Sequence, residues 1–225
     1  MTSSPAALFD IDGTLVDSNY AHVHAWTRAF REAGIPVPAW RTHRSIGIDG
    51  SKLLESFTGD ADEDRAQHAK ELHTQYYEEL APLLEPLPGT RELLAEIEQR
   101  GLQVVLATSA PENELSILRD VLGIDDIMSE STSSEDVETA KPEPRIVDIA
   151  LERAGVPADR AVFVGDSVWD VEASRSAKVD CIGVRSGGIS SAELRDAGAV
   201  AVYDDPADLL ASLDDSPIAR LLDRR

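Results

Sequence analysis

At 225 residues, 42% hydrophobic and 28% charged, the chain is long enough to bury a full core, either as one generous domain or as a core carrying a smaller one. A formal charge of −21 sets it against nucleic acid and anionic membrane surfaces, and it would repel phosphorylated substrates wherever local cations did not hold them. The single cysteine, Cys181, excludes an internal disulfide, and no run approaches the roughly 20 apolar residues of a membrane helix.

Residues 1–7 lack the basic and long apolar regions of a signal peptide, so a cytoplasmic location is expected. The apolar run 6–11 reads as a strand leading into Leu8-Phe9-Asp10-Ile11-Asp12-Gly13-Thr14. Side chains alternate along a strand, which puts Asp10 and Asp12 on one face. Gly13 lets the backbone turn sharply, and Thr14 is read as the start of a polar exit. Two acids at the C-terminal end of a strand suit one nucleophile and one proton donor.

From residue 17 to 86 the pattern is helical without intervening strands. Trp26, Ala29, Phe30 and Ala33 recur at helical spacing, and 62–80 is a second long helical stretch. His22 shares a face with Trp26, whose spacing is that of a core residue. Arg41, His43 and Arg44 form a basic island before the turn Gly47-Ile48-Asp49-Gly50, and the proline-rich segment 82–88 suits a linker of limited flexibility.

Beyond residue 88 strands and helices alternate. A helix over 91–100 follows Pro88-Gly89-Thr90 and closes at Gly101; a buried strand spans 102–107; a helix over 112–122 stops at Gly123. A short strand is predicted over 127–131, a helix over 145–154 ending at Gly155, and strands over 161–164, 180–184 and 200–203. This alternation predicts an α/β fold with a parallel sheet covered on both faces. Cys181, inside an apolar strand, reads as a structural thiol. In such sheets ligands bind beyond the carboxyl ends of the strands.

Three further segments end or follow these strands: Val105-Leu106-Ala107-Thr108-Ser109, Ala140-Lys141-Pro142, and Val162-Phe163-Val164-Gly165-Asp166-Ser167-Val168-Trp169-Asp170. Taken singly, an Asp-x-Asp is more often a solvated turn, a Thr-Ser after a strand a helix N-cap, and a Lys-Pro a helix start. Together and in order, the four segments resemble the four motifs of the haloacid dehalogenase superfamily of phosphotransferases, a likeness that runs from Ala6 to about Tyr203. The resemblance implies a Rossmann-like doubly wound parallel core over 1–16 and 88–225, with an inserted helical cap of the C1 type over 17–87. Hinges would lie near 17–18 and 84–88, and core and cap would meet over Asp10.

The resemblance also implies a chemistry. Asp10 is the expected nucleophile, forming an aspartyl-phosphate, and Asp12 the general acid and base. Mg²⁺ is the expected cofactor, held by Asp10, the backbone carbonyl of Asp12, and Asp166. Thr108, Ser109 and Lys141 would bind the phosphoryl group. Asp170 is a supporting candidate, acting on the metal through water or holding Lys141, although a helix-surface carboxylate is the simpler account. His22 stands where some phosphomutase relatives carry a histidine. The implied partner is a small phosphorylated metabolite, acted on by a monomer or weak dimer.

Hydrolysis of a phosphomonoester of the phosphoglycolate or sugar-phosphate type is the leading expectation. A beta-phosphoglucomutase-like isomerase is the alternative, but mutases carry an arginine in the cap turn where this chain has Asp49-Gly50. A catalytically silent binding protein would have no reason to keep both Asp10 and Asp12. Two positions depart from the common pattern: Arg145 stands where relatives usually have aspartate, and Ala177-Lys178 replaces a common Ala-Gly.

Overall fold

A computed structural model of the chain describes residues 3–48, 50–58, 63–132 and 145–223. These form two compact units, one of Met1–Asp17 with Glu85–Arg225 and one of Ser18–Leu84.

The smaller unit is helical among its described residues: α1 (Asn19–Glu32), α2 (Ala39–Arg44), α3 (Gly50–Thr58) and α4 (Glu63–Leu80). On α1 the buried positions Ala25, Trp26, Ala29 and Phe30 recur at the spacing of one helix face, and α4 packs beside it with Ala69, Leu72, Tyr76 and Tyr77 buried. Each large apolar side chain removed from water contributes about 1.5–3 kcal/mol. The Trp26 ring stacks on His73 at 4.0 Å, and Phe57 meets Phe30 edge-on at 5.6 Å. Packing is thus what places Trp26. At the margin Arg28 lies 3.7 Å over the Tyr76 ring and pairs with Glu79 at 2.8 Å, while the Tyr76 hydroxyl donates to Glu32. Arg28 and Glu79 are about half exposed, so this ion pair adds little stability.

The larger unit is built on six parallel strands: β1 (Ala6–Phe9), β2 (Gln103–Ala107), β3 (Glu130–Thr132), β4 (Ala161–Gly165), β5 (Asp180–Val184) and β6 (Ala201–Tyr203), in the order β3-β2-β1-β4-β5-β6. Connecting helices are α5 (Thr90–Gln99), α6 (Glu112–Leu122), α7 (Arg145–Ala154), α8 (Val168–Ser176) and α9 (Ser191–Ala197), with α10 (Pro206–Ala211) and α11 (Pro217–Asp223) closing the chain. Ala6, Leu8, Val105, Phe163 and Cys181 gather on one sheet face with Ile146 and Ala150 of α7, Val171 of α8 and Leu194 of α9. The alternate positions, Ala7, Phe9, Val104, Leu106 and Val162, are equally buried, so both faces are covered. Cys181 is a buried free thiol inside this core.

Two strands differ from the sequence expectation. β1 ends at Phe9 rather than Ile11, so Asp10 and Asp12 both lie past the strand and the alternation argument does not set their directions. The third strand begins at Glu130: Ile127 and Met128 instead turn back onto the Ile124 carbonyl, each donating at 2.9 Å. A short apolar run fits a turn as readily as a strand.

Lys178 is the one non-glycine residue with positive φ, +62°, among the described residues. It ends α8 in a Schellman arrangement, its N–H donating to the Arg175 carbonyl at 3.0 Å and the Val179 N–H to the Ser174 carbonyl at 2.9 Å. Glycine adopts that conformation without strain. Lys178→Gly is expected to raise stability by about 1 kcal/mol, read as a higher urea midpoint at unchanged slope.

Candidate active site

The strand order determines which residues meet. β1 pairs with β2 on one side and β4 on the other, Phe9 standing in register with both Leu106 and Val164. The chain therefore leaves the sheet side by side as Asp10 after β1, Thr108 after β2 and Asp166 after β4. The Asp10 N–H still donates to the Val164 carbonyl at 3.0 Å. The chain runs from β1 through β2 to β3 at one edge, then crosses back to β4 beside β1 and on to β5 and β6, so the strand order reverses between β1 and β4, the switch point where ligands bind in open α/β sheets.

Asp10, Asp166 and Asp170 are buried here, at 4%, 2% and 0% exposure. One carboxylate oxygen from each lies within 4.8 Å of the others. Three buried acids at this distance repel one another and call for a compensating cation. A donor set made only of oxygens suits a hard divalent ion.

Asp170 is not the helix-surface carboxylate that its position suggested. α8 begins only at Val168, so Asp166 precedes the helix and no helical i,i+4 relation links the two acids. Asp170 is instead the third helical residue of a capping box on Ser167. The Ser167 N–H and hydroxyl both donate to Asp170 Oδ2, at 3.0 and 2.6 Å, and the Asp170 N–H returns to the Ser167 hydroxyl at 3.3 Å. This fold-back is possible because residue 165 has no side chain: a Cβ there would lie 2.6 Å from Asp170 Cγ and 2.8 Å from Oδ2.

Asp12 is half-buried in a tight turn whose Ile11 carbonyl accepts the N–H groups of Thr14, Leu15 and Val16. Thr14, read from sequence as a polar exit, is fully buried, and its hydroxyl donates to Asp166 Oδ1 at 3.4 Å. Thr108 is buried, and its hydroxyl oxygen accepts the Ala110 N–H at 3.0 Å, which directs the hydroxyl proton elsewhere. It is not a helix cap, since α6 starts after Pro111. Ser109 beside it is half-buried. Lys141 lies outside the described residues, as does Asp49.

The structure thus brings together Asp10, Asp166 and Asp170. His22 belongs to the helical unit, where it is not a lone histidine: its Nδ1 lies 3.1 Å from His73 Nε2, and its ring stacks on Tyr77 at 4.0 Å. Arg41, His43 and Arg44 form the last turn of α2, with Arg41 5.4 Å from the Phe57 ring centroid. Sequence reasoning missed Thr14, Gly165, Ser167 and His73. A Ser-x-x-Asp following a strand was the available signal for the Ser167 cap.

A buried carboxylate cluster at the switch point of a doubly wound sheet marks the candidate active site of an α/β core. Residues 7–184 match the family described as haloacid dehalogenase-like hydrolase, and the chain belongs to that family. The phosphoglycolate phosphatase of Rhodospirillum rubrum is 31% identical over 216 residues, covering 91% of this chain and 88% of that one. The phosphorylated carbohydrates phosphatase of Thermotoga maritima is 28% identical over 202 residues, covering 88% and 93%. Among solved structures, a hydrolase from Pseudomonas syringae superposes with a TM-score of 0.89 at 37% identity, covering 94% of this chain and 99% of that one. No helix among the described residues is long and apolar enough to cross a membrane.

Two measurements test this geometry. Gly165→Ala must displace the Asp170 carboxylate and break its cap, and is expected to lower the unfolding free energy by about 3 kcal/mol in urea melts. Burial, and then the nearby His22 ring, hold the His73 imidazole well below its ordinary pKa of 6.5. Below that value the unfolded chain binds a proton that the fold excludes, so stability is full above pH 6.5 and declines as pH drops toward the lowered folded pKa. Urea midpoints measured between about pH 7.5 and 5 should fall in the wild type and fall less in His73→Gln.

Proposed function

We propose that this chain is a Mg²⁺-dependent hydrolase of a small phosphomonoester, of the phosphoglycolate or sugar-phosphate class. The observation that carries the reading is the buried trio Asp10, Asp166 and Asp170 at the switch point, with a fourth acid, Asp12, two residues from Asp10 in a tight turn. The named activities of the Rhodospirillum and Thermotoga relatives support the substrate class.

In this reading Asp10 attacks phosphorus, forming an aspartyl-phosphate as the bond to the leaving oxygen breaks. Asp12 supplies the proton that the leaving oxygen takes up. Water then attacks the aspartyl-phosphate, Asp12 accepts its proton, and phosphate departs with Asp10 restored. Asp10, the Asp12 backbone carbonyl and Asp166 would hold Mg²⁺, with Asp170 in support, and the ion would offset the charge of the carboxylates and of the phosphoryl oxygens. Thr108 donates its hydroxyl proton to a phosphoryl oxygen, with Ser109 and Lys141 as further phosphate ligands. The helical unit 18–84 is the family's cap, the part that selects the leaving group, and His22 is a supporting residue whose ring His73 and Tyr77 hold in place. An acidic cytoplasmic enzyme, monomeric or weakly dimeric, completes the reading.

The test is phosphate release from phosphoglycolate, hexose phosphates and beta-glucose 1-phosphate, with Mg²⁺ and with EDTA. Mg²⁺-dependent release is expected, and Asp10→Asn should reduce it by at least about 10³-fold while leaving the fold intact by circular dichroism. Release near the wild-type rate from purified Asp10→Asn would overturn the covalent mechanism. Hexose 6-phosphate appearing from beta-glucose 1-phosphate without phosphate release would identify an isomerase instead.

A further inference from the structure

The turn that carries Asp12 is built around a residue with little rigidity of its own. Gly13 has φ of +71°, a region that glycine enters and leaves freely, so hydrogen bonds must set the turn's geometry. Inside the turn the Gly13 N–H donates to the Val16 carbonyl at 2.9 Å, and the Thr14 N–H to the Ile11 carbonyl at 3.2 Å. The Leu15 carbonyl is held by the Thr90 hydroxyl at 3.0 Å and the Leu87 N–H at 2.9 Å. The Gly13 carbonyl is held from far away in sequence: the Ser186 hydroxyl donates to it at 2.6 Å.

Ser186 is a firm anchor. It follows β5, an interior strand of the sheet, in a turn closed by the Gly188 N–H on the Arg185 carbonyl at 2.9 Å. The Arg185 N–H donates to the carbonyls of Tyr203 and Asp204, and its guanidinium pairs with the Asp204 carboxylate. The peptide joining Gly13 to Thr14 is therefore fixed at both ends, its carbonyl by Ser186 and its N–H by Ile11. With that plane fixed and the Gly13 N–H held by the Val16 carbonyl, rotation at Gly13 is restrained, and with it the backbone that carries Asp12.

We propose that Ser186 is a positioning residue for Asp12, its hydroxyl locking the Gly13 carbonyl so that the flexible glycine turn presents Asp12 in one orientation. The inference rests on the reading of Asp12 as the acid and base of a phosphomonoester hydrolase. No charge or proton moves through Ser186.

The test compares wild type, Ser186→Ala and Ser186→Thr. Ser186→Ala should lower kcat on the order of tenfold while KM changes by less than about twofold, since orientation rather than ground-state binding is lost. Ser186→Thr, which keeps the hydroxyl, should recover most of that loss. Hydrogen–deuterium exchange of a peptide spanning residues 13–16 should be faster in Ser186→Ala than in wild type, with the melting transition still cooperative. An active wild type whose Ser186→Ala variant matches it in kcat and in exchange would overturn the inference, as would a threonine variant no better than alanine. The exchange measurement needs no substrate. A wild type inert toward all the esters, which would overturn the hydrolase reading, is thereby distinguished from an unchanged turn, which would overturn this one.

Discussion

Mutual repulsion among Asp10, Asp166 and Asp170 is the constraint around which the larger unit is arranged. Carboxylates this close interact unfavourably by something like 3 kcal/mol per pair at an effective dielectric of about 20. No packing advantage explains gathering acids in this way, because apolar residues of the same volume would be more stable there. The arrangement makes sense as a seat for positive charge. What the fold contributes is the rigidity to hold the acids together, through the Thr14 hydroxyl on Asp166 and the Ser167 cap on Asp170.

Rigidity of this kind comes from the sheet. β1 is only four residues long, yet it is flanked on both sides by parallel partners and buried at every position. Its short length matters to the chemistry. Had the strand continued to Ile11, Asp10 and Asp12 would have been confined to the regular alternation of a ladder. By ending at Phe9 the chain frees Asp12 to enter a turn of its own, half-buried while Asp10 is buried. On the proposed reading, a nucleophile and a proton carrier need different surroundings, and the early strand end gives Asp10 and Asp12 that difference.

Much of this was legible in the sequence because motif residues are chemical types in a fixed order. Thr108 and Asp166 could be assigned to strand ends from apolar runs and breakers alone, Asp10 was placed inside a strand over 6–11 that ends instead at Phe9, and the helix–strand alternation implied the parallel sheet. What could not be read depends on contacts between distant segments or on a missing atom. The burial of Asp170 depends on the absent Cβ of Gly165 and on a helix starting two residues after Asp166. The His22–His73 contact joins α1 and α4 across 51 positions. The left-handed backbone at Lys178 is hidden because lysine is otherwise an ordinary helix former, and only the helix end it closes reveals the conformation.

The side chains that hold the Asp12 turn share a further property. Thr90 and Ser186 act on it through neutral hydroxyls from two distant parts of the chain, and Thr14, within the turn, reaches Asp166 in the same way. Lysine or arginine could have supplied stronger bonds to the same acceptors. On the proposed reading, a cation placed there would compete with a divalent ion for the carboxylates and alter the charge that a phosphoryl group meets. It would also be attracted toward the acid cluster and away from the carbonyl it was meant to hold. In a protein with a net charge of −21, hydroxyls fix the geometry of the turn without adding a charge beside the acid cluster.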